Sequence, residues 1–124
     1  VIALDINEST LENTRSTSPD SEAILTIKTD TSNEKEMKEA FNQVASKFGK
    51  LDILVNNAAI SIPGTVVDTS IADFERSFAI NVNGYMIGCQ LAIPLLKISS
   101  PTTRHRCIMP SPLRLVEAFL AQTN

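Results

Sequence analysis

With 124 residues, 43% hydrophobic and 20% charged, the chain has the make-up of one globular domain with a sizeable core, and is too short for two. A formal net charge of -3, a pI near 5.1, and a stock of five Phe, one Tyr and no Trp give no reason to expect nucleic acid or an anionic membrane as partner. Cys89, Cys107 and the single histidine, His105, have no metal-ligand spacing, so no zinc site and no Cys–His nucleophile pair is expected, and the thiols read as reduced in a cytoplasmic protein.

Residues 1–4, all apolar, end at Asp5 and fit the end of a buried strand. The chain starts inside this run and not with Met, which reads as a beginning that lies further upstream. Residues 7–18 are polar, with Leu11 their only sizeable apolar residue, and suit a short exposed helix or loop. After a turn at Pro19-Asp20, residues 23–27 are a second strand candidate, closing at Thr29-Asp30. Thr31 or Ser32 is placed to cap the next helix, and Thr31 with Glu34 fits a capping box. In that helix Met37, Ala40, Phe41, Val44, Ala45 and Phe48 form one apolar stripe, and Gly49 is placed to end it in a left-handed conformation.

Residues 51–55 form a third strand candidate, closing on Asn56-Asn57-Ala58-Ala59. Pro63 and Gly64 mark a loop, and Thr69 or Ser70 suits the cap of a helical region that begins near Ile71. From residue 74 to residue 97 the pattern is apolar nearly all round, as in a helix buried on several sides or seated in a subunit interface. No run approaches the ~18 consecutive apolar residues of a membrane span, so no membrane partner is expected. Strand and helix alternating at this rhythm imply βαβ units and a parallel sheet. The alternation is expected to stop at Lys97, where a proline-rich tail with Arg104, His105 and Arg106 begins and a short helix over 113–121 is the one further element.

The segment 51–60, LDILVNNAAI, closely resembles the fourth strand and the Asn-Asn-Ala-Gly motif of the short-chain dehydrogenases/reductases, with Ala59 where Gly is usual. The segment 78–96, FAINVNGYMIGCQLAIPLL, resembles the long helix of that family, with Asn81 matching its catalytic asparagine. Asp5 and Asp30-Thr31 match its second and third strand ends, so the resemblance runs from Val1 to about Lys97 in order and in register. It implies an α/β fold, a partial Rossmann-like doubly wound parallel sheet that lacks its first strand and its C-terminal half. On this reading residues 1–97 are a partial dinucleotide-binding domain. Residues 98–124 are a divergent tail, either frameshifted or alternatively spliced, or a genuine C-terminus.

The resemblance also implies a cofactor and a site. Ligands of such sheets bind beyond the carboxyl ends of the strands, where an acidic residue accepts hydrogen bonds from ribose hydroxyls and repels a 2′-phosphate, so Asp5 argues for NAD over NADP. Asp30 and the backbone of Thr31 would lie beside the adenine, and Asn57, Ala58 and Ala59 would wall the cofactor. Asn81 would orient a water-linked proton relay to a catalytic lysine. Each has a plainer reading: Asp5 and Asp30 as turn or cap residues, Asn56-Asn57 as turn chemistry, Asn81 as a buried amide satisfied by backbone groups, Cys89 as packed filler, His105 as a solvated side chain.

Two parts of the family pattern are missing. The four glycines, Gly49, Gly64, Gly84 and Gly88, make no phosphate-cradling loop, which belongs about 20 residues before the acidic residue. The only tyrosine, Tyr85, has Cys89 four positions on, so the Tyr-x-x-x-Lys pair is absent, and neither Ser99-Ser100 nor Ser111 fits the family's serine well. The expected function is therefore a piece of an enzyme moving hydride between NAD(H) and a small-molecule alcohol or carbonyl, inactive in isolation and homo-oligomeric through the 74–97 helix. The alternatives are a non-catalytic nucleotide-binding or subunit-interaction remnant and, further off, a receiver-like signalling domain, whose clustered acidic pair and late lysine are not seen. Without its first strand the sheet has a slot between the second and fourth, so the isolated chain is expected to be unstable or prone to aggregate.

Overall fold

Strand β1 (Ile2–Asp5) and strand β2 (Leu25–Lys28) pair in parallel, in the register Ile2 to Leu25 through Asp5 to Lys28. They belong to a computed structural model that describes residues 1–99 and 107–108. Parallel neighbours need a crossover, and helix α1 (Glu8–Ser16) provides it. Asn7 starts α1 by accepting the Ser9 N–H at 2.9 Å on its side-chain oxygen. Leu11 alone is buried in α1, as its polar sequence leads one to expect.

Helix α2 (Glu34–Phe48) buries Met37, Ala40, Phe41 and Val44, the expected stripe. Its cap differs from the expectation. Asn33, not Thr31 or Ser32, accepts the N–H groups of Lys35 and Glu36, while Glu36 reaches back to the Asn33 side-chain amide at 2.8 Å. The reason is upstream: the Asp30 carboxylate takes the Ser32 N–H, so residues 30–32 form a turn and the helix cannot begin before it. Gly49 ends α2 at φ 70°, the left-handed cap. Phe48, at the last position, is 46% exposed beneath the Lys47 ammonium, so the buried stripe ends a turn earlier than expected.

Strand β3 (Leu54–Val55) is shorter than the 51–55 expected, because Leu51 donates its N–H to the Leu95 carbonyl of the long helix rather than to a strand. It pairs in parallel with strand β4 (Cys107–Ile108). This corrects the expectation that the alternation stops at Lys97: one more parallel strand follows the helix, too short and too close to prolines to leave a periodic signal. The expectations for His105, Ser111 and a helix over 113–121 lie outside the described residues.

The helical stretch of residues 71–99 opens with helix α3 (Ile71–Phe78), capped by Ser70, whose hydroxyl accepts the Asp73 N–H at 3.0 Å. A π-helical turn (Ala79–Asn83) follows and leads into helix α4 (Gly84–Ser99). Helix α4 buries Cys89, Ala92 and Leu96, whereas Ile71, Phe74, Phe78, Val82 and Met86 are exposed along one stripe. The run Ile71–Ile98 is long and apolar enough by length and composition to cross a membrane, which the count of consecutive apolar residues did not detect.

The strands make two separate pairs, β1–β2 and β3–β4. Both rest on one core: Leu4 of β1 and Leu51 and Leu54 around β3 pack against Met37, Phe41, Ala92 and Leu96. The architecture is α/β with a small parallel sheet, a part of a doubly wound fold, divided where the sequence order puts a slot.

Candidate functional site

All the residues singled out by sequence, Asn81 apart, lie at or just past the carboxyl ends of the parallel strands, the edge at which such sheets bind ligands. Asp5 closes β1 and is half-buried. One of its carboxylate oxygens accepts the Asn7 N–H at 2.8 Å, and the other has no hydrogen bond among the described residues. Its backbone carbonyl accepts the Thr29 N–H at 2.9 Å, which ties the end of β1 to the end of β2. Asp5 thus serves the turn, as in its plainer reading.

Asp30 stands two residues past β2 in a fixed turn. Its Oδ1 accepts both the N–H and the hydroxyl of Ser32, at 2.9 and 2.7 Å, and its own N–H donates to Glu36 at 2.8 Å. Buried Thr29, 1% exposed, precedes it. Thr31 follows, half-buried, with its carbonyl turned to the start of α4 at Gly84. In the adjoining first turn of α2, the hydrogen bond and charge of Lys38 hold the exposed Glu34 carboxyl below its ordinary value.

Past β3, Asn56 is half-buried against α4, its amide donating to the Cys89 thiol at 3.6 Å, while Asn57, Ala58 and Ala59 are exposed. Asn81 sits in the π-turn and clasps the next residue of this loop by its backbone. Its Oδ1 accepts the Ile60 N–H and its Nδ2 donates to the Ile60 carbonyl, each at 2.9 Å. That is the satisfied-amide arrangement that sequence reasoning held open for Asn81.

Asp5, Asp30 and Thr31 therefore belong to one strand pair and Asn57, Ala58 and Ala59 to the other. Among the described residues no strand hydrogen bonds join the two groups, and the helical run that carries Asn81, Gly84 and Gly88 connects them. Sequence reasoning missed Ile60, Gly84 and Gly88. Ile60 contributes only backbone and leaves no signature. The glycines do leave one: each sits in the interior of an apolar helix, where glycine is unfavourable by about 1 kcal/mol relative to Ala unless packing demands it. Among the described residues no group of three or more His, Cys, Asp or Glu is placed to hold a metal.

The arrangement can be set beside known proteins. The family described as "short chain dehydrogenase" matches residues 1–104. The 2-(R)-hydroxypropyl-CoM dehydrogenase of Xanthobacter autotrophicus is 34% identical over 99 residues, which is 76% of this chain and 40% of that relative. The crystal structure of a glucose/ribitol-type short-chain dehydrogenase/reductase from Brucella melitensis superposes with a TM-score of 0.71 at 28% identity, covering 76% of this chain and 40% of the other. ElxO with NADP bound superposes with a TM-score of 0.71 at 27% identity, over 80% of this chain and 41% of that one. The chain thus corresponds to less than half the length of each of these proteins.

Proposed function

The chain belongs to the short-chain dehydrogenase family, and on that premise we propose that it is the NAD-binding edge of an oxidoreductase acting on a small alcohol or carbonyl substrate. The observation that carries the proposal is the half-buried Asp5 carboxylate at the end of β1, with one oxygen free of bonds among the described residues. The donor set fits a dinucleotide. Asp5 accepts from the ribose hydroxyls and disfavours a 2′-phosphate, and so selects NAD, although a related protein holds NADP. Asp30 and the Thr31 backbone border the adenine, and Asn57, Ala58 and Ala59 form the wall of the cleft. The nucleotide, when bound, supplies the hydride chemistry, and the protein orients it.

Asn81 is the one catalytic-site residue of the family pattern within this sequence. By clasping Ile60 on both backbone groups it holds the wall loop in place, and in the intact enzyme it orients the water-linked proton relay to the lysine. With no Tyr-x-x-x-Lys pair and no glycine-rich loop in its sequence, the 124-residue chain is inactive by itself. The exposed stripe Ile71, Phe74, Phe78, Val82 and Met86 supports a homo-oligomer assembled through residues 74–97, and it also favours the second reading, a subunit-interaction remnant without catalysis. The surroundings we assign are cytoplasmic. The apolar helical run belongs to the core and a subunit interface, not a bilayer, since Leu96 and Ala92 in it are fully buried against α2. The tail from residue 98 on is read as divergent in sequence, although β4 within it pairs with β3 and the match to the family runs to residue 104.

Ligand-observed saturation-transfer NMR on the dilute chain, with millimolar NAD or NADP, tests the assignment. NAD signals at least threefold stronger than those of NADP are expected, and Asp5→Ala should erase the difference. Equal signals from the unsubstituted chain sink the NAD preference, and none from either nucleotide leaves the interaction remnant as the better account.

A further inference from the structure

Two glycines one turn apart on α4 each meet a different strand-end loop. A Cβ built on Gly84 lies 3.0 Å from the carbonyl oxygen of Thr31 and 3.3 Å from its hydroxyl. One built on Gly88 lies 2.5 Å from the side-chain oxygen of Asn56. The first obstacle is backbone, held in the turn that the Asp30 carboxylate and the Asn33 N–H close. The second is the end of a short side chain whose amide is already engaged with Cys89. Both glycines are buried and both have ordinary helical surroundings, so neither is there for its backbone freedom. Four residues apart on a helix, they share one face.

We propose that Gly84 and Gly88 are positioning residues that set the two halves of the nucleotide cleft against each other. Because β1–β2 and β3–β4 share no ladder among the described residues, the distance between the Thr31 loop and the Asn57–Ala59 wall is not fixed by sheet hydrogen bonds there. It is fixed by how closely each loop approaches α4. Gly84 sets the first approach and Gly88 the second, while Asn81, one turn before Gly84, fixes the far end of the wall at Ile60. An added methyl at Gly84 pushes back the Thr31 carbonyl. At Gly88 it displaces the Asn56 amide. The effect is local to one loop in each case, and it runs against helix propensity, which favours alanine over glycine at both positions. The inference deepens the nucleotide-binding reading and rests on it for the ligand, though not for the geometry.

The test compares Gly84→Ala, Gly88→Ala, Asn56→Ala and the Gly88→Ala/Asn56→Ala pair in the 124-residue chain at low micromolar concentration. Hydrogen–deuterium exchange read by mass spectrometry follows residues 29–33 and 56–60. Gly84→Ala is expected to speed exchange at least threefold in 29–33 and not in 56–60, and Gly88→Ala the reverse. With Asn56 already shortened to alanine, Gly88→Ala should add nothing, because the atoms it would strike are gone. Saturation transfer to NAD supplies the second readout: Gly84→Ala should weaken the adenine protons more than Gly88→Ala does. A merely structural role would loosen both segments and weaken all ligand signals together, and that outcome overturns the proposal, as would exchange unchanged from the parent chain. If the parent chain gives no NAD signal, the nucleotide reading fails, while the segment-specific exchange still decides the positioning role.

Discussion

Asn81 makes two hydrogen bonds to the backbone of a single residue, Ile60, 21 positions away in sequence. Removing the amide leaves one buried-side N–H and one C=O without partners, a cost of about 2 kcal/mol when water cannot fully replace them. Asn81→Ala should therefore lower the free energy of unfolding by about 2 kcal/mol in urea titrations. Asn81→Asp should do no better, since it keeps the acceptor for the Ile60 N–H and sets a second oxygen against the Ile60 carbonyl. A loss under about 0.5 kcal/mol for Asn81→Ala would mean that the clasp contributes little. The residue itself was legible in the sequence, as an amide stranded in an apolar helix, because polar groups in such places must be satisfied. Its partner was not. Ile60 takes part through atoms every residue has, and nothing about an isoleucine announces them. The same asymmetry holds at Asp5 and Asp30, whose turn role the sequence suggested while the backbone N–H groups they take, those of Asn7 and Ser32, carry no mark in it.

Among the elements, α2 gives the sharpest contrast between pattern and outcome. Two overlapping sequences, Thr31 with Glu34 and Asn33 with Glu36, both satisfy the spacing of a capping box. The second supplies the cap, because Asp30 draws the Ser32 N–H into a turn, with Glu36 bonding the Asn33 side-chain amide and, at 2.8 Å, the Asp30 N–H in place of the Asn33 N–H. Asn33→Ala is accordingly expected to cost about 1 kcal/mol, and Thr31→Ala, which removes no cap, less than half of that, in urea or thermal unfolding. A larger loss at Thr31 than at Asn33 would reverse the assignment. The end of the same helix was readable outright, since a glycine directly after an amphipathic stripe suits a left-handed cap and little else, and Gly49 does stand at φ 70°. The π-turn at Ala79–Asn83 was not readable. It inserts into a run that is apolar on nearly every side, so the change of helical register leaves no break in the pattern. Yet this is the turn that presents Asn81 to Ile60.

At the scale of the whole molecule, the slot between the two strand pairs is the dominant fact, and it follows from sequence order alone once the strands are matched to a doubly wound sheet. What sequence order hid was β4, two residues long and set between Pro101 and Pro110. Among the described residues the inner edges of β1 and β3 carry backbone groups without ladder partners, and unpaired edges of this kind recruit other chains. Large apolar side chains are exposed in greater number than apolar residues are buried among the described residues, and Ile53 and Val55, at 59% and 52% exposure, lie at β3 itself. A core centred on Met37, Phe41, Ala92 and Leu96 is small for a chain of this length, so little opposes the entropy of unfolding. The expected result is a shallow urea transition whose midpoint differs between probes, with self-association that grows with protein concentration in analytical ultracentrifugation. The exposed Phe74 and Phe78, whose ring centres lie 5.6 Å apart, separate the two causes of that association. Changing both to Glu should abolish a discrete dimer if α3 carries the subunit interface, and should leave higher-order aggregation untouched if strand edges drive it. A chain that stayed monomeric at high concentration and unfolded in one steep step would show that the two strand pairs close upon each other in solution, and the open-edged description would have to be abandoned.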